Sequence, residues 1–89
     1  MNRKPGLTID QHKKLQAKLL SITNDLTHIY VLIANAYPKG PRAPRHIRSA
    51  TSQIVRIEKH ILDLRVDYLE NQFFVENPEL KLRDLHGGV

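Results

Sequence analysis

Hydrophobic residues in the first half of the chain recur at alternating steps of four and three, through Leu15, Leu19, Ile22, Leu26, Ile29, Ile33 and Ala36. That spacing is the heptad seam of a helix packing along a partner, as in a coiled coil. After a proline-rich break the pattern resumes at steps of three and four, through Ile47, Ala50, Ile54, Ile57, Ile61, Leu64 and Tyr68. No stretch reads convincingly as a strand. The prediction is an all-α fold built on two long helices.

Local signals delimit those helices. Thr8 is placed to accept from a free backbone N–H while Gln11, three residues on, reaches back in a capping box. Asp10 in the first turn suits the positive end of the helix dipole. The first helix is expected over about 9–36, roughly 40 Å at 1.5 Å per residue. Across Tyr37–Pro44, three prolines and a glycine exclude regular helix. Pro44 suits the first position of a second helix, expected over about 45–76 and ending before Pro78. Equal helices joined by a short loop favour an antiparallel hairpin. With Ala36 opposite Ile47, the outward layers pair Ile33 with Ala50, Ile29 with Ile54, Leu26 with Ile57, Ile22 with Ile61, Leu19 with Leu64 and Leu15 with Tyr68. Beyond it, Asn77-Pro78-Glu79 resembles a fresh helix start before Leu80, Leu82, Leu85 and Gly87-Gly88, so 77–89 is read as a short helix or tail. Residues 1–7 read as a disordered basic arm.

The chain carries more apolar residues than one hairpin seam can use. Residues 29–37 are apolar nearly all round, and Val55, Leu62 and Leu69 form a second stripe flanked by Val66, with Phe73 beyond. Tyr30, Leu32, Val55, Leu62, Val66, Leu69 and Phe73 are therefore the expected interface. Removing about 600 Å² of such surface from water contributes on the order of 15 kcal/mol before the cost of association. The simplest cover is a second copy, giving a homodimeric four-helix bundle. A fold-back of the Leu80, Leu82 and Leu85 segment as a third helix, or another protein, would serve the same end.

Composition narrows function by exclusion. Eighty-nine residues make a single domain, and the absence of cysteine removes disulfides and thiolate metal sites. No segment approaches the roughly 18 uninterrupted apolar residues of a membrane span, so a cytoplasmic protein with no membrane partner and no cofactor is expected. Charge is uneven: through Ile57 there are ten Lys and Arg against two acids, and from Glu58 onward four against seven.

Lys39, Arg42, Arg45, His46 and Arg48 lie close together, with no acid between Asp25 and Glu58. Arg45 and Arg48 oppose the dipole at a helix start, which is the type of local conflict that marks function. Phosphate would resolve it, with Tyr37 at hand to stack on a base. A solvated loop, or pairing with Glu70, Glu76 and Glu79 of a second copy, is the plainer account. A second basic group, Lys13, Lys14 and Lys18 with Arg3 and Lys4, is partly balanced if Lys13 faces Glu70.

Asp25 and His28 stand three apart, with Glu58 expected opposite, so a homodimer would hold the ingredients of a dinuclear carboxylate site. Leu26 and Ile29 beside them turn the pair toward a flank, and no metal is the expectation. His60 with Asp63, and His12 opposite Asn71, read as surface hydrogen bonds. Ser21, Ser49 and Ser52 lack a positioned base, and no Gly-rich phosphate loop follows a strand, so no enzyme is expected. The sequence points to a non-enzymatic interaction or regulatory module acting as a homodimer. RNA or DNA binding through the basic loop is the first alternative and a metal-binding bundle the second.

Overall fold

The structure, a computed structural model that describes residues 6–86, is all-α: no strand occurs among the described residues. Helix α1 spans Ile9–Ala36 and a 3₁₀ turn spans Gly40–Arg42. Helix α2 spans Arg45–Asp63 and runs on through a π-helical segment, Leu64–Glu70, into α3, Asn71–Glu76; a last turn, α4, spans Leu82–Leu85. No helix among the described residues is long and apolar enough to cross a membrane. The first five residues of the expected basic arm, and the terminal Gly87-Gly88-Val89, lie outside the described residues.

Each boundary has a local cause. The Gln11 N–H donates to Thr8 Oγ1 at 3.1 Å, and the Thr8 N–H donates to Gln11 Oε1 at 2.9 Å, which closes the capping box at the start of α1. Pro38 ends that helix, and Gly40 turns the chain with φ at 66°, where a side chain would be strained. The Pro44 carbonyl then accepts from the N–H groups of Ile47 and Arg48 at 3.1 and 3.0 Å, opening α2.

Contacts between α1 and the following helices run in opposing order. His12 meets Phe73 and Glu76, Gln16 meets Arg65, and Thr27 meets Glu58. The seam is turned from the expected one. Leu19, Leu26 and Ile33 do face inward, but between them stand His12, Gln16 and Thr23, with Ile47, Ala50, Ile54, Glu58, Ile61 and Arg65 across the seam. Leu15, Ile22 and Ile29, expected in the seam, are 37, 40 and 45% exposed, and Ala36 is exposed too. Ile57, Leu64 and Tyr68 are likewise exposed, at 44, 41 and 67%. Each helix is apolar over an arc wider than two helices can close, and the pair meets along the half of that arc that also matches Gln16 to Arg65 and Thr27 to Glu58.

The π-helical segment completes this shift. A regular α-helix leaving the seam at Ile61 and Arg65 would next present Tyr68 and Gln72. The wider turn absorbs one more residue, so Leu69 is half-buried and Phe73 fully buried. Asn71 Nδ2 donates to the Asp67 carbonyl at 2.8 Å within the widened turn.

After α3, both the backbone N–H and the side chain of Asn77 donate to the Phe73 carbonyl, at 2.8 and 3.0 Å, and the chain turns back. Helix α4 lies against α1. Leu85 is buried beside a groove it shares with Ala17 and Leu20, Leu80 is half-buried, and Leu82 stays exposed. His86 Nε2 stands 3.3 Å from Glu70 Oε2 and fastens the segment. The molecule measures 56 × 36 × 16 Å. Its shortest dimension is less than half of either of the others, so the molecule is flat, with two broad faces.

Candidate functional site

The basic residues do not form one patch. All five expected members are exposed, but Lys39 and Arg48 border a groove of about 540 Å³ at the loop end, lined also by Tyr30, Ile33, Tyr37 and Ile47. Arg45 and Arg48 border a separate cleft of about 370 Å³ along α2 with Ser49, Ser52, Gln53 and Arg56. Arg42 closes the 3₁₀ turn. His46 falls on the other side of α2, four residues before Ala50 and eleven before Ile57. The expected basic group lacks Arg56 and Lys59, and Ser52 enters the sequence analysis only as a nucleophile without a base. Their signal was the helical spacing 45, 48, 52, 56, 59 rather than nearness along the chain. Among the described residues none of Lys39, Arg42, Arg45, Arg48, Arg56 or Lys59 forms an ion pair.

A second constellation lies at the opposite end. His12 is 1% exposed, its Nε2 is 3.1 Å from Glu76 Oε1, and its ring meets Phe73 edge-to-face at 5.2 Å. Phe73 in turn meets Phe74 edge-to-face at 5.1 Å. Donation from Nε2 leaves the buried, unpartnered Nδ1 as a bare lone pair rather than a stranded N–H. The side chain of Gln72 also donates to Glu76, at 3.1 Å. These bonds, Gln72 first and His12 second, hold the Glu76 carboxyl below its ordinary value. The expected partners therefore change: His12 faces Glu76 and Phe73 rather than Asn71. Glu70 is taken by His86, and Lys14 pairs with Asp10 at 3.0 Å.

The sign of the resulting pH dependence follows from that depression. A carboxyl with a lowered folded-state pKa stabilises the fold fully above its unfolded value, and the stabilisation is lost as pH falls through the folded value. Acid titration below about pH 4.5 is expected to loosen the His12–Phe73 end first, read from the Phe73 ring signals by NMR. Glu76→Gln should remove that acid step. An unchanged titration in the variant would exclude Glu76 as its source.

The candidate metal residues are not gathered. Glu58 Oε2 accepts from Thr27 Oγ1 at 3.2 Å, while Asp25 and His28 are exposed on arcs of α1 turned from α2. No group of three or more His, Asp or Glu among the described residues is placed to hold a metal ion.

Of the expected interface, Leu32, Val55, Leu62 and Val66 are exposed, Tyr30 lines the loop-end groove and Leu69 is half-buried. Phe73 is corrected outright: it is 0% exposed and belongs to the chain's own core, because the π-helical turn carries it into the seam. What reading along the sequence missed is how the two margins of the seam differ. One margin carries the Thr27–Glu58 and Gln16–Arg65 bonds. The other carries Leu15, Ile22 and Ile29 with Ile57 and Leu64. Each of these stands one residue before Gln16, Thr23, Tyr30, Glu58 or Arg65. A step of one residue turns each helix by about 100° in the same sense, and in two oppositely directed helices that brings both rows to the same side of the pair.

These features define a flat all-α chain of paired helices, with an aliphatic margin and a basic outer row. The chain matches no family model, no curated protein and no solved structure.

Proposed function

We propose that this chain is a non-enzymatic interaction module that works as a homodimer. Two antiparallel hairpins would pack through the aliphatic margin into a four-helix bundle. The observation that carries this reading is the uncovered row of Leu15, Ile22 and Ile29 beside Ile57 and Leu64, all 37 to 45% exposed. Aliphatic residues at heptad spacing on both helices are what a bundle core uses, and a bundle helix needs a wider apolar stripe than a two-helix seam. The heptad pattern and the turned seam are then reconciled. Leu19, Leu26 and Ile33 face the partner helix of the same chain, and Leu15, Ile22 and Ile29 face the other chain.

Surface area supports the same reading. The chain exposes 7253 Å², whereas a compact monomer of 10.3 kDa exposes about 5,400 Å². A flat chain exposes more than a compact one, and a standard interface, which removes about 800 Å² from each partner, would bring this chain nearer the compact value. A second copy is also the partner whose apolar row has, by symmetry, the same length and spacing.

Light scattering on the purified protein tests the proposal. The expected mass is about twice the 10.3 kDa of the chain, with thermal stability that rises with protein concentration. A monomer whose melting temperature is independent of concentration would overturn it.

A further inference from the structure

We infer that the outer face of α2 is a binding track for the phosphate backbone of double-stranded nucleic acid. Arg45, Arg48, Ser52, Arg56 and Lys59 recur at steps of three and four, so they form one straight row on a single helix, about 21 Å long at 1.5 Å per residue. Arg45, Arg48, Ser52 and Arg56 line one cleft with Ser49 and Gln53, and the helical spacing continues the row to Lys59.

Three observations favour phosphate as the occupant. First, the row is electrostatically unsatisfied: none of its cations forms an ion pair among the described residues. Cations three and four residues apart repel one another, and Arg45 and Arg48 stand at the dipole's positive end, with no side chain capping the helix at Pro44. An isolated helix gains nothing from that arrangement, but a line of phosphates would reverse every sign in it. Second, two of the three acids that an antiparallel partner copy could offer are already engaged, Glu70 by His86 and Glu76 by His12 and Gln72, which leaves Glu79 alone against the whole row. Third, the row contains hydroxyls and guanidinium groups, which bond phosphate oxygens, but no aromatic residue. That composition suits the fixed phosphates of a duplex better than unstacked bases, which bind on aromatic platforms.

The track does not depend on the proposed dimer. It lies on the side of α2 turned from α1, whereas Ile57 and Leu64 stand on the aliphatic margin, so either surface works without the other.

Fluorescence anisotropy with a labelled duplex and the matching single strand, across a salt series, tests the inference. The intact protein should bind the duplex more tightly, without sequence preference, and log K should fall against log salt with a slope of about −3 to −4 for four phosphate contacts. Replacing Arg45, Arg48, Arg56 and Lys59 together by Gln should cost at least tenfold in affinity at low salt and flatten the slope. These side chains point outward, so helicity by circular dichroism should not change. Arg45→Lys, Arg48→Lys and Arg56→Lys combined should stay within a few fold, because the charge row survives. Lys13→Gln, Lys14→Gln and Lys18→Gln, at the other end, should lose under threefold. The inference is overturned by absence of duplex binding at low salt, by an equal loss in the lysine variant, by tighter binding of the single strand, or by equal affinity for poly-glutamate.

Discussion

Phe73→Ala is expected to destabilise the protein by about 3 to 5 kcal/mol, the range for truncating a buried phenylalanine. Phe73 is the largest side chain in a small core. Ile54, Phe73 and Leu85 are the only large apolar residues fully enclosed among those described, with His12 and Gln16 beside them. The variant removes the ring against which His12 packs edge-to-face, and with it the support for the His12–Glu76 bond. Small domains are stable by only about 5 to 15 kcal/mol, so a loss of this size should bring the urea midpoint close to zero denaturant, with the α3–α4 end opening first. Val75→Ala, on the same turn but at a side chain 73% exposed, should shift stability by less than about 0.5 kcal/mol. Phe73→Leu should fall between them. Equal effects of Phe73→Ala and Val75→Ala would mean that Phe73 is not a core residue.

The same residue shows where the sequence could be read and where it could not. The all-α character and the capping box were legible because they depend on neighbours a few residues apart: Thr8 and Gln11 for the cap, Pro38 and Pro44 for the break. The choice of seam was not. Leu15 and Gln16 compete for the same position, and apolar spacing favours Leu15. Gln16 prevails because its amide donates to the Arg65 carbonyl at 2.9 Å and its carbonyl oxygen faces Arg65 Nε at 3.4 Å, partners 49 residues away. No periodicity argument sees such a pairing. The π-helical turn at Leu64–Glu70 was equally hidden, since a heptad count assumes a constant 3.5 residues per turn and carries Tyr68, not Leu69, into the core. Beyond that turn the helix presents Leu69 and Phe73 inward, whereas a constant repeat leaves Phe73 on an outer interface. The basic site was half legible. Reading by proximity grouped His46 with Arg45 and Arg48, whereas helical geometry separates His46 and adds Arg56 and Lys59.

The second large effect is expected on the aliphatic margin. Ile22→Glu combined with Ile57→Glu should convert the proposed dimer into a folded monomer of about half the mass by light scattering. Both side chains are 40 to 44% exposed in the single chain, so a separate chain keeps both carboxylates in water, at a cost of about 1 kcal/mol each, near the centre of the range for single substitutions. In the bundle the same change would bury two carboxylates per chain without partners, four per dimer. At about 3 kcal/mol each, that is roughly 12 kcal/mol, as large as the whole association energy of a dimer with a nanomolar dissociation constant, about 12 kcal/mol. The contrasting pair is Val55→Glu with Leu62→Glu. These positions are 55 and 52% exposed but stand one residue after Ile54 and Ile61, on the opposite side of the helix pair. They should leave the mass unchanged. If the Val55 and Leu62 pair dissociates the dimer and the Ile22 and Ile57 pair does not, the chains meet through the other face, and the bundle is assembled with its heptad rows turned to solvent. Helical circular dichroism retained in both variants would separate a lost interface from a lost fold.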